Sequence, residues 1–268
     1  MKRMKLVALG ITTAFLLACT MVPAKPVTAE EGLRYSSSAQ VHSVFQDEVL
    51  EAFTRETGVK VDLFVGSSST AMNRLFNDVC DVASTAEPLY RTHQDYGYVE
   101  TPFCRVPLVV IAHAQVPVRD LSETQLREVF SGQIANWKEL GGPDRDIVVV
   151  APGKGTAAYK NFSQLALKRH EVDYDFMTER STMVVDAVKH IPYSISFIAM
   201  SAAVRDAAVK TIKVNGTAPS DKFYPYIQEF NFVTRGAPSG AAKTFIDYAR
   251  SEPVKAKLKA NGITPADE

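Results

Sequence analysis

The stretch that most narrows the folds open to this chain is residues 147–162, IVVVAPGKGTAAYKNF. The apolar, β-branched run Ile147 to Val150 predicts a strand. It ends in the loop Pro152-Gly153-Lys154-Gly155-Thr156, which opens a helix. A strand, a Gly-rich loop and a helix start in that order form part of an α/β unit. They also aim unpaired backbone N–H groups, at the positive end of a helix dipole, towards one point in space. That arrangement is a candidate anion site.

The same order recurs upstream. Residues 33–37 read as a strand ending in Ser36-Ser37-Ser38. Residues 40–56 then carry Val41, Phe45, Val49 and Phe53 at helical spacing and stop at Gly58. A second strand, Lys60 to Val65, ends at Gly66-Ser67-Ser68-Ser69-Thr70 and feeds a helix with Met72, Leu75 and Phe76. Asp81 to Ser84 is a third strand, with Thr85 just beyond it. Residues 106–113, VPLVVIAH, form a continuous apolar run of the kind expected for a strand covered on both faces. Helices are expected over 121–130, 157–169 and from Val184 through Val188, a further strand over 194–200, and a helical region over 239–260. The alternation predicts an α/β fold, in which ligands gather at the carboxyl ends of strands. One serine cluster reads as N-caps. Two clusters at matching positions, with the 152–156 loop, point to a binding site.

Composition excludes several classes. Lys2, Arg3 and Lys5 precede the apolar residues 6–18, a segment shorter than a membrane span, so residues 1–29 read as an export signal. Cleavage fits after Ala29 or Ala24, and a lipid anchor at Cys19 ranks below simple cleavage. The chain without residues 1–29 has 26 basic and 30 acidic side chains, a net of −4, which argues against a nucleic-acid partner. Two cysteines, Cys80 and Cys104, remain. In an oxidising compartment they pair or stay as two buried thiols, and spacing does not decide. The five histidines form no metal-ligand pattern, and no cofactor is implied.

The stretch Val129-Phe130-Ser131-Gly132-Gln133-Ile134-Ala135-Asn136-Trp137 resembles the "IFsGxItNW" signature of the phosphate-binding family of periplasmic solute-binding proteins. Leu121-Ser122 with Gln125-Leu126, Asp81-Val82-Ala83 with Pro88-Leu89, Ser194-Ile195-Ser196-Phe197, and the ending from Gly240 to Ile263 are similar to further motifs of that family. The resemblance implies a bilobal type II periplasmic binding protein: two α/β lobes, two crossing strands near 112–116 and 196–202, and a ligand cleft between. Lobe one is expected at 30–112 and 202–268, and lobe two at 113–201. The implied protein is a periplasmic monomer that captures phosphate or a related oxyanion and delivers it to an ABC transporter permease.

Carried over by position, the implied ligand groups are Ser36, Ser37 and Ser38, then Ser67, Ser68, Ser69 and Thr70, then Thr85, and from lobe two Lys154, Gly155 and Thr156. Where the family has an Asp that accepts the proton of hydrogen phosphate, this chain has Ala86. Where the family has an Arg it has Val150 and Ala151, and Lys154 replaces the serine of the family's Ser-Gly-Thr. Arg supplies a two-pronged donor to oxyanions, and Lys154 offers a point cation instead. These departures motivate an alternative: the same fold holding an organic or lipid-like ligand, or acting as a sensor or partner protein. An enzyme is the third reading. The chain has no G-x-S-x-G elbow, and His113 and His190 sit on or beside apolar segments.

Overall fold

The computed structural model describes residues 32–45, 47–200 and 207–268, so the expected export segment and Cys19 lie outside the described residues. The chain begins with the predicted alternation: β1 (Leu33–Ser38), α1 (Ala39–Phe45), α2 (Asp47–Thr57), β2 (Val61–Gly66), α3 (Ser68–Phe76) and β3 (Val82–Thr85). Next come α4 (Arg91–Asp95), the long β4 (Tyr98–His113), β5 (Asp120–Leu121), α5 (Glu123–Phe130), β6 (Val148–Pro152), α6 (Ala157–Leu165), β7 (Phe176–Thr178), α7 (Val184–His190) and β8 (Ser194–Ala199). The chain ends with β9 (Val209–Val214), β10 (Ile227–Arg235), α8 (Gly240–Ala249), α9 (Glu252–Ala260) and β11 (Thr264–Pro265).

The strands follow the order β2-β1-β3-β10-β4-β8-β6-β7, with β11 on β4 and with β9 bridging β4 and β5. β1 pairs in parallel with both β2 and β3, and β6 in parallel with β7 and β8. β4 joins the two groups. Tyr98 to Pro107 pair antiparallel with β10, and Leu108 to His113 pair with β8 and β9.

Each group has its own core. In the first, Phe45, Phe53, Phe103, Phe232 and Phe245 pack around Leu33 and Tyr35. In the second, Leu126, Phe130, Trp137, Phe162 and Phe197 pack together, with the Phe162 and Phe197 rings stacked at 3.8 Å between centroids. Trp137 is fully buried, and its indole N–H donates to the Tyr193 carbonyl at 2.8 Å. The Asn136–Glu139 capping box holds the short 3-10 turn that carries it. The two ends of the Phe130-to-Trp137 signature are therefore core scaffolding, while Ser131, Gly132, Gln133 and Ala135 between them are exposed.

The packing departs from the expected division at one place. Ile212, Val214, Tyr224 and Tyr226 lie in the second core, and Val209 packs in a smaller cluster with Val150 and Val185, although 202–268 was assigned to lobe one. Only from β10 onward does the chain return to the first core. The Leu108 N–H donates to the Tyr226 carbonyl at 2.8 Å, so the two passages between groups lie side by side at Pro107–Leu108 and Tyr226–Ile227. Pairing with β4, which no local pattern encodes, draws β9 into the second group.

Cys80 and Cys104 are both buried free thiols. They lie in different clusters, Cys80 with Met72 and Leu75, Cys104 with Phe103 and Val106, so the disulfide weighed from sequence does not form.

Candidate functional site

Four chain segments converge where the two groups face each other. β1 delivers Ser38 and the start of α1. β2 ends at Gly66, and Ser67 caps α3 by accepting the Thr70 N–H at 3.0 Å. From the other side, β6 leads into Thr156, which caps α6 by accepting the Tyr159 N–H at 3.3 Å. Beyond β7, Arg180 opens the short 3-10 turn Ser181–Met183. These segments enclose a cavity of about 50 Å³ lined by Ser38, Gly66, Ser67, Ser68 and Thr156, together with Gln40, Arg180 and Ser181. Glycine at 153 lets the loop lie against β7: a Cβ there would meet the Thr178 and Glu179 carbonyl oxygens at 3.2 Å.

The eleven residues expected at the site separate into distinct environments. Ser38, Ser67, Ser68 and Thr156 line the cavity. Ser36 does not line the cavity, and its hydroxyl accepts from Arg74 Nε at 2.8 Å. Ser37 does not line the cavity and sits in a buried hydroxyl cluster with Tyr35 and Ser84, at 3.1 and 2.9 Å. Burial pushes the Tyr35 phenol up to about 12, so it remains a neutral donor to that cluster. Ser69 accepts from Lys160 at 3.3 Å, and Thr70 pairs with the Ser67 hydroxyl. The Thr85 hydroxyl closes a local turn with Glu87 and lines a neighbouring cavity of about 210 Å³ with Met72, Phe76 and Leu89.

Gly155 and Lys154 are exposed and do not line the cavity. The Lys154 ammonium pairs with Glu171 at 2.5 Å, a hydrogen bond that raises its pKa and fixes it as a surface cation. Lys154, one of the residues expected at the site, thus stands outside the cavity lining in this structure. Arg180 is the cation on the cavity wall, contributed from beyond β7 rather than from the end of β6.

Sequence reasoning missed Gln40, Arg180 and Ser181. For Gln40 a signal existed: an amide at the first turn of α1 on the same buried face as Val41, Val44 and Phe45. For Arg180 none did, since a charged segment before a helix is ordinarily solvated.

Electrostatically the cavity is rich in donors. The first N–H groups of α3 and α6 have no acceptor within their own helices. The Ser68 hydroxyl oxygen accepts the Ala86 N–H at 3.1 Å, which leaves its proton free to donate. Around the cavity the groups are clasped. Lys160 on α6 pairs with Glu87 at 2.9 Å, and the Asn161 amide donates to the Ala86 carbonyl and to Gln228 Oε1, both at 2.7 Å. Such a site suits a small polyatomic anion, with donors from both sides and contacts that close over it.

Two α/β groups meeting over a donor-lined cavity define a bilobal solute-binding protein. The chain belongs to the PBP superfamily, whose domain matches residues 23–253. It is 24% identical over 230 residues to the phosphate-binding protein PstS of Borreliella burgdorferi, covering 82% of this chain and 81% of that one. To PstS of Bacillus subtilis it is 30% identical over 162 residues, 58% of this chain and 54% of that one. A Clostridium perfringens protein solved with bound phosphate superposes with a TM-score of 0.80 at 24% identity, covering 88% of this chain and all of that one. An ABC-type phosphate transport receptor from Vibrio cholerae superposes at 0.69, again at 24% identity, covering 87% and 99%.

Proposed function

We propose that this chain is an exported solute-binding protein that captures phosphate between its two lobes and presents it to the permease of an ABC importer. The cavity carries this reading. A volume of about 50 Å³ holds a few water-sized spheres, each needing roughly 10–15 Å³. That suits a tetrahedral oxyanion and not a drug-sized organic molecule, whose pockets span about 300–1,000 Å³. Ser38, Ser67, Ser68 and Thr156 supply the hydroxyls and capped helix starts, and Arg180 supplies the charge-assisted, two-pronged donor. The names of the similar proteins from Borreliella burgdorferi and Bacillus subtilis support phosphate as the ligand. The lobes in this reading are 32–107 with 227–268, and 108–226, hinged at the two adjacent passages.

The chain binds and does not transform its ligand. Outside the cavity, His113 Nδ1 accepts the Gln115 N–H and His190 Nδ1 contacts the Asp186 carbonyl, so neither stands beside a cavity hydroxyl as a base. Among the described residues no helix is long and apolar enough to cross a membrane. Calorimetry of ligand-stripped protein with inorganic phosphate tests the assignment. Saturable binding at or below micromolar phosphate is expected, and no heat at millimolar phosphate overturns it.

A further inference from the structure

The small cavity between the lobes has a larger neighbour. Ser68, the first residue of α3, lines both the cavity of about 50 Å³ and the one of about 210 Å³ beside it. Both lie along the junction of α3 with α6. Ala157, at the start of α6, lines the smaller cavity. Lys160, one turn on, bonds to Ser69 and Glu87 on the wall of the larger one. The two differ in chemistry. In the larger cavity Ser69 and Glu87 already have Lys160 as partner, and the Thr85 hydroxyl is spent on the Glu87 backbone. The rest of its wall is chiefly apolar and aromatic: Met72, Phe76, Leu89, Tyr90 and His93. The His93 ring stands 4.7 Å from that of Phe76 and 5.6 Å from that of Tyr90, and Tyr90 is 62% exposed. Resting on the reading of the small cavity as a phosphate site, we infer that the protein also captures organic phosphates: phosphonates and phosphate monoesters whose phosphoryl group occupies the small cavity and whose compact apolar substituent occupies the larger one.

The volumes set the class. A space of about 210 Å³ exceeds the roughly 150 Å³ of an apolar cavity that takes up benzene, and falls below the roughly 300 Å³ at which drug-sized pockets begin. It admits one ring or a short branched chain. Inorganic phosphate fills the small cavity alone and leaves the apolar wall beside it in contact with water. A substituent carried by the phosphoryl group leaves three oxygens for the hydroxyls, the helix starts and Arg180, and buries its own apolar surface against Met72 and the three rings. Ser68, on the common wall, has its hydroxyl proton free to donate to the phosphoryl group at the point where the substituent departs. A substituent bearing a second negative charge is selected against, because the larger cavity offers it an apolar wall and the Glu87 carboxylate.

The experiment is calorimetric titration of the full chain, stripped of ligand, with inorganic phosphate and with phenylphosphonate, for wild type, Met72→Trp and Tyr90→Ala. Wild type is expected to bind both, and saturation with phosphate should abolish the heat of phenylphosphonate. Met72→Trp fills the larger cavity and should weaken phenylphosphonate by roughly tenfold to a hundredfold, the worth of burying one apolar side chain. Tyr90→Ala removes one ring at the surface and should weaken it by roughly threefold to tenfold. Phosphate affinity should stay at the wild-type value in both variants, which also reports that they are folded. Where Met72→Trp fails to fold, the exposed Tyr90 decides alone. Phosphate binding without phenylphosphonate binding overturns the inference. So does phenylphosphonate heat that persists in saturating phosphate, or folded variants that bind phenylphosphonate as wild type does. A wild type that gives no heat with phosphate overturns the underlying phosphate reading instead.

Discussion

Arg180 and Lys154 illustrate how little a residue's type says about its work. Both are cations near the lobe-two side of the cavity. One borders it, and the other is held outside by Glu171. Replacing Arg180 by Ala removes a charge-assisted hydrogen bond of about 1.5–3 kcal/mol, so phosphate affinity should fall by roughly tenfold to a hundredfold in calorimetry. Lys154→Ala should leave it unchanged. A second residue-scale prediction concerns acid. Burial by itself raises the Asp81 pKa, but hydrogen bonds from the Arg34 side chain and N–H, together with the Arg34 charge, outweigh it and leave the carboxyl below its usual value. A depressed folded-state pKa gives stability that is present above the unfolded value, about 3.9, and is lost as pH falls through the folded one. Arg34→Met should therefore destabilise the protein at neutral pH and flatten the loss of stability below about pH 4, read from urea midpoints across pH. At Cys80 and Cys104 burial raises both thiol pKa values. Neither should react with iodoacetamide until the chain unfolds, and added reductant should not move the melting temperature.

At the scale of elements, α6 serves both lobes. Its N-terminus borders the cavity while Lys160 and Asn161, one turn on, reach Glu87 and Ala86 in the first lobe. Glu87→Gln removes the charge from a carboxylate that is only 12% exposed in its side chain. Partly exposed pairs of this kind contribute up to about 1 kcal/mol, so phosphate release should speed up by roughly two- to fivefold in stopped-flow chase experiments. A rate equal to wild type would show that the pair does not hold the lobes together. The elements also mark the reach of sequence reasoning. Strands β1 to β3 and β8 were legible because short apolar runs end in turn residues, and β6 because a Gly-rich loop follows it. β10 was not, although it pairs with both β3 and β4. Its residues IQEFNFVTR alternate only in part, since a bulge at Phe230–Asn231 shifts the register against β4. At the cavity, Ser38, Ser67, Ser68 and Thr156 were legible from strand ends and helix starts. Gln40 showed only as an amide on the apolar face of α1, and Arg180 not at all, because only the meeting of distant segments gives them their surroundings.

For the whole molecule, binding between lobes couples ligand to stability. Phosphate held at a hundred times its dissociation constant should add about 2.7 kcal/mol. For a chain of this size that corresponds to a rise of roughly 5–11 °C in melting temperature by differential scanning fluorimetry. The continuity of β4 has a further consequence for the way this protein can be taken apart. One uninterrupted strand supplies an interior member to both sheets, pairing with β10 before Leu108 and with β8 and β9 after it. Neither lobe is a detachable module. A fragment spanning 113–201 would lack β4 and β9 and expose the unpaired edge of β8, a surface prone to self-association. The gene cannot be cut into two independently folding halves at the cleft, and exchange of one lobe between relatives would have to carry this strand with it.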